Sequence, residues 1–310
     1  MLYLTTRDPH DTFTAHKALT EQVADNGGLF IPLKFPFYDA DALKVLLDKD
    51  FCDIVAEILN HFFSLRISPW AVEVCIGRNP VKIATPGRKV LIAESWYNPG
   101  RNYEYLITQL NGVLSGIHET IPKSWLRVAV GIAFAFAVFS LVGKSGYNET
   151  MDVCVHDGDL SMPTAMLYAK QMGLPINKII ICSKENSAIW DLINHGQLVT
   201  SLLGPEQKLA AERIVCSMLG QEQNGKYVAA CQRRGVFTVE LEQEQILPET
   251  LFASVIGEER IRSVQKNVFH TNGYSLSDDA ALCYGGVQDY RSKTGQGTLT
   301  LLFGLEAPEN

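Results

Sequence analysis

Three stretches of this 310-residue chain carry side chains able to do chemistry. The first, Trp96-Tyr97-Asn98-Pro99-Gly100-Arg101-Asn102-Tyr103-Glu104-Tyr105, follows a short β-rich run at residues 89–93 and leads into a helical one, the place where open α/β sheets put ligand loops. The second, His156-Asp157-Gly158-Asp159-Leu160-Ser161, is a tight loop between an apolar strand and a helix, with side chains of the kind that ligate metals. No distant His or Cys pair at a recognisable spacing supports a metal there, so no metal site is expected. The simpler reading is a turn whose Asp or Ser caps the helix at 162–172. The third, Ser277-Asp278-Asp279-Ala280-Ala281, reads as an N-capped helix start with acids in its first turn. A nucleophile elbow, a P-loop and a dinucleotide fingerprint are all lacking.

The elements that must position these stretches form an α/β pattern. A strand at 151–155, a helix at 162–172, a strand at 178–183 and a helix at 187–195 make a βαβα unit, the signature of a parallel sheet covered by helices. Before it, amphipathic helices are predicted at 14–25, closed by Asn26-Gly27-Gly28, at 39–47 and at Phe51–Phe63, with Asp39 and Asp50 as N-caps and 29–32 extended. After it come helical runs at 205–219, 258–270 and 277–291 and a last strand at 298–303. The run at 128–142 is apolar throughout but shorter than the roughly 20 residues needed to cross a bilayer, so it reads as a core helix.

Composition bounds the function. A net charge of −7 argues against a general nucleic-acid binder, and 46% hydrophobic with 20% charged residues is ordinary for a folded globular chain. The seven cysteines are scattered without a C-x-x-C and read as buried free thiols of a reducing compartment. No secretory signal is evident at Met1-Leu2-Tyr3-Leu4, so a cytoplasmic, non-membrane protein is expected.

Three blocks of sequence, in order, resemble threonine synthase, a pyridoxal phosphate (PLP) enzyme of fold-type II. Tyr3-Leu4-Thr5-Thr6-Arg7 through Asp25-Asn26-Gly27-Gly28-Leu29-Phe30-Ile31-Pro32 is similar to that family's opening module. Residues 157–196 resemble its phosphate loop and following helix, and Gly273-Tyr274-Ser275-Leu276 through Gly285 a later block. The resemblance implies a tryptophan synthase β-like large domain with a central parallel sheet at 81–310, preceded by a threonine synthase-type module at 1–80.

The departures concern the chemistry. Setting Pro99 on the family's proline puts Glu104 where the cofactor lysine belongs, and a carboxylate cannot form a Schiff base. The family's G-N-F-G phosphate loop becomes Gly158-Asp159-Leu160-Ser161. The added charge of Asp159 costs about 4 kcal/mol against a phosphate charge at about 4 Å with an effective dielectric near 20. The remaining remnants of the cleft are Asn98, Ser161, Asp279 and Leu305, the last replacing the hydroxyl residue that meets the pyridine nitrogen. Ile121-Pro122-Lys123-Ser124-Trp125 follows the 106–116 helix at once, so the small lobe is missing. These losses imply a pseudoenzyme that needs no cofactor and binds a partner protein, a second copy over the surface the lobe once covered, or a small anionic or amino-acid ligand. The alternative is a surviving PLP-dependent lyase acting on O-phosphohomoserine or a similar amino acid, with its Schiff base moved to Lys123 or Lys89.

Overall fold

The computed structural model describes residues 1–96, 100–115, 125–184, 187–304 and 307–308. The chain opens with strands β1 (Leu2–Thr5) and β2 (Asp8–Thr14), helix α1 (Ala15–Thr20) and strand β3 (Phe30–Pro32), then helices α2 (Ala40–Leu47), α3 (Phe51–Phe63) and α4 (Pro69–Ile76). The three strands pair antiparallel in the order β2-β1-β3. Next come β4 (Lys82–Gly87), β5 (Val90–Glu94), α5 (Tyr103–Ser115), α6 (Trp125–Lys144), β6 (Met151–His156), α7 (Ser161–Gln171), β7 (Ile176–Ser183) and α8 (Ala188–His195). The last part holds β8 (Gln197–Val199), α9 (Pro205–Arg233), β9 (Val236–Thr238), α10 (Ile246–Thr250), β10 (Leu251–Val255), α11 (Glu258–Asn272), α12 (Asp278–Thr294) and β11 (Thr300–Gly304).

The central sheet runs β10-β7-β6-β11-β5-β4, parallel throughout except for the antiparallel edge strand β4. Side chains alternate across it with a period of two. Leu91, Val153, Ile179, Ile181 and Leu301 join the larger core with α3, α6 and α7. Val90, Ile92, Cys154, Ile180, Cys182 and Leu302 face the second core under α11 and α12. A strand buried on both faces has no polar positions to alternate, hence the continuous apolar runs in β6 and β7.

Helix α6 explains the longest apolar run. It extends to 20 residues, long enough to cross a membrane, but 83% of its most apolar window is buried within the protein. At its start Trp125 is fully buried, edge-on to Tyr3 and Phe62 at centroid distances of 5.8 and 5.4 Å and beside Tyr168 at 5.8 Å. This aromatic cluster joins β1 and α3 to α6 and α7 in one core. A second tie is polar: Thr6 Oγ1 donates to buried Glu212 of α9, and Arg7 grips the same carboxylate through Nε at 3.0 Å and Nη2 at 2.8 Å.

Several expectations need correction. The first helix runs only from Ala15 to Thr20, capped by the Thr14 hydroxyl, and Asn26-Gly27-Gly28 does not close it. That turn instead packs on β1: Asn26 Nδ2 donates to Thr5 Oγ1 at 2.9 Å, and Gly27, at φ 74°, lies so close to the Arg7 guanidinium that a Cβ would sit 2.6 Å from it. Asp39 caps α2 through Ala42 N–H, whereas Asp50 stands at the N-cap of α3 without a side-chain bond. The helical run at 205–219 is the first part of α9, whose backbone leaves helical geometry at Gly220. Edge strand β10 was not anticipated, because Leu-Phe-Ala-Ser-Val is too short and too uniformly apolar for periodicity to tell strand from helix.

Candidate functional site

The loop after β6 and the N-termini of α5, α6 and α7 converge on one guanidinium. Arg127, in the first turn of α6, donates from Nη1 to Glu104 Oε2 at 2.8 Å and from Nη2 to Glu104 Oε1, a bidentate fork. Its Nε donates to Asp159 Oδ2 at 2.8 Å. Burial pulls the Arg127 guanidinium down, but the hydrogen bonds and charges of Glu104 and Asp159 outweigh it and raise it overall. The helix holding Glu104 is fixed by its neighbour Tyr103, buried, whose hydroxyl donates to the Arg127 carbonyl at 2.9 Å. Burial raises the Tyr103 phenol, so it stays a donor.

The loop after β6 is equally self-satisfied. Gly158 N–H donates to Asp157 Oδ1 at 2.9 Å, Leu160 N–H to the Asp157 carbonyl at 2.6 Å, and Ser161 N–H to Asp159 Oδ1 at 3.0 Å. The cap of α7 therefore differs from expectation. Leu160 is the N-cap residue, left-handed at φ 60°, and neither Asp nor Ser occupies that position. Gly158 at φ 43° and Leu160 turn the chain so that the helix begins at Ser161, which brings the Asp159 carboxylate to the orphan amides. Thr164 Oγ1, bonded to the Leu160 carbonyl at 2.6 Å, holds the turn from the other side.

A PLP group does not fit these residues. Its phosphate would need amide donors that Asp157 and Asp159 already occupy, and would meet a carboxylate where a positive helix end should attract it. At the position matched to the cofactor lysine stands Glu104, held by Arg127. Of the fallback amines, Lys89 precedes β5 and lies at the end of that strand away from the loop; its Nζ donates to the Gly297 carbonyl at 2.8 Å. Lys89 is thus removed from the Glu104–Asp159 cluster, because the strand separates them. Lys123, Asn98 and Leu305 lie outside the described residues.

Asp279 sits in the first turn of α12 beneath the Ser277 cap, which accepts from Ala280 N–H at 3.2 Å. Among the described residues no hydrogen bond or ion pair joins it to Arg127 or Asp159. Two participants were not anticipated. Arg127 belongs to no motif in the sequence, and its partners lie 23 and 32 residues away, beyond any local spacing signal. Glu94, at the end of β5, accepts from Tyr274 Oη, whose phenol is raised by burial and by that carboxylate.

Comparison with known proteins agrees with this architecture. Residues 2–79 match the family described as threonine synthase N terminus. Over 95 residues the chain is 32% identical to mouse threonine synthase-like 1 and 30% identical to the human protein, a match spanning 30% of this chain and 12% of those relatives. In fold, the PLP-bound threonine synthase from Brucella melitensis aligns with a TM-score of 0.81 at 13% identity, covering 99% of this chain and 89% of that one. Yeast threonine synthase aligns at 0.76 with 15% identity, covering 99% and 87%. Residues 2–79 thus match the threonine synthase N terminus, and the chain has the threonine synthase fold with its mixed, mostly parallel sheet.

Proposed function

We propose that this protein is a non-catalytic member of the threonine synthase group, a pseudoenzyme whose role is to bind. The observation that carries the reading is the Arg127 clamp: one guanidinium ties Glu104 to Asp159. The lysine position and the phosphate loop are closed onto each other as an internal ion-pair network, which supports a loss of cofactor chemistry.

The test is spectroscopic. Purified protein mixed with excess PLP is expected to show no aldimine band in the visible range, and borohydride is expected to fix no label on any lysine. A borohydride-fixed label on Lys123 would overturn the reading in favour of a PLP-dependent lyase acting on an amino-acid substrate.

The binding role extends to self-association or a protein partner. Near the end of α5, Val113 is 80% exposed. Sedimentation equilibrium is expected to give a mass above 34.4 kDa. A strictly monomeric species at high concentration would remove the homo-oligomer from this proposal.

A further inference from the structure

Three cysteines far apart in sequence meet in the core between the sheet and α12. Cys154 lies in the middle of β6 and Cys182 near the end of β7; the parallel register pairs Cys154 with Ile180, which puts Cys182 two residues further on and on the same face of the sheet. Cys283 reaches them from α12. All three Sγ atoms lie within 4.8 Å of one another, with Cys154 and Cys182 at 3.5 Å. The three side chains are 0%, 0% and 1% exposed.

The approach is made possible by Gly286, one turn beyond Cys283. A Cβ there would lie 2.1 Å from Cys182 Sγ, so any larger residue would push α12 off the strand and spread the sulfurs.

From this geometry we infer that Cys154, Cys182 and Cys283 form a binding site for a soft monovalent cation of the Cu(I) class. At a metal–sulfur distance of about 2.3 Å, a planar three-sulfur site spaces its sulfurs by about 4 Å, close to the arrangement already present. Thiolate and thiol sulfurs select Cu(I) among biological cations, with zinc the other common occupant. Two features favour the monovalent ion. Structural zinc takes four ligands, and no fourth His, Asp or Glu atom completes the group among the described residues. The surroundings, Val90, Ile92, Ile180, Leu302 and Val287, are apolar and dry, so a net charge is costly. A monovalent cation reaches neutrality by displacing a single thiol proton, the other two sulfurs donating as thiols. No oxidation or reduction is involved.

The experiment uses the full chain, with Cu(I) supplied anaerobically against a chromogenic competing chelator. One Cu(I) per chain is expected, with three sulfur neighbours by X-ray absorption. Cys154→Ala, Cys182→Ala and Cys283→Ala are each expected to weaken binding by about a hundredfold, the upper end of what even an outer partner's loss costs a metal site. Cys75→Ala, on α4, is expected to leave binding unchanged. Should the alanine variants fail to fold, the wild type decides: under mild denaturant Cu(I) is expected to shield these three thiols, and not Cys75 or Cys231, from an alkylating reagent. Wild-type affinity retained in the variants, a sulfur count other than three, or protection of the other thiols would overturn the inference.

Discussion

At the scale of single residues, Arg127 joins Glu104 to Asp159. Its planar fork engages Glu104 with two nitrogens and leaves Nε for Asp159, a division of labour that a lysine could not reproduce. Restoring an amine at 104 is therefore insufficient for cofactor chemistry, because the Ser161 amide stays occupied by Asp159. Glu104→Lys alone is expected to give no aldimine band with PLP. Combining it with Asp159→Asn removes the charge worth about 4 kcal/mol against a phosphate at about 4 Å, a thousandfold in affinity. Any band is expected only in the double variant, and titration followed by absorbance checks this. A band of equal strength in the single variant would show that Asp159 does not guard the loop.

Between elements, the contact that sets the site is the crossing of α6 on α7. Gly131 makes it close: a Cβ there would stand 2.7 Å from the Ala165 Cβ and 3.3 Å from the Tyr103 hydroxyl. An alanine in mid-helix gains about 1 kcal/mol of propensity over glycine, but the obstacle is another methyl on a packed helix and cannot swing away. The clash wins. Gly131→Ala is expected to lower stability by about 1–3 kcal/mol in urea unfolding. Pairing it with Ala165→Gly is expected to recover part of that loss as a favourable coupling in the double-mutant cycle. Simple addition of the two costs would mean that the helices separate freely.

For the whole molecule, Glu212 holds the N-terminal strands against α9. Its side chain is 2% exposed and accepts from Thr6 Oγ1 as well as from Arg7, which is 27% exposed. Removing one partner of a buried pair costs about 3–5 kcal/mol, but Arg7 can turn to water, which places Glu212→Ala nearer 2–3 kcal/mol. The expected result is a lower urea midpoint with secondary structure retained in mild conditions. A change within error would mean that the aromatic cluster around Trp125 carries the junction alone.

By itself the sequence determined what is local or strictly periodic. The runs at 151–155 and 178–183 read as strands of a parallel sheet because they alternate with helical stretches, and the apolar 128–142 run, shorter than a bilayer span, reads as a core helix. That position 104 carries a carboxylate, which cannot itself form an imine, also needed no structure. Tertiary structure alone decided the rest. A one-residue shift of the turn at Leu160 made Asp159 the anion at the head of α7, and helix crossing brought Arg127 to carboxylates 23 and 32 positions away. The thiols of Cys154, Cys182 and Cys283 became neighbours only through strand register and the bare Cα of Gly286. Long-range contacts of this kind follow from how packed layers settle against one another, and no spacing along the chain encodes them.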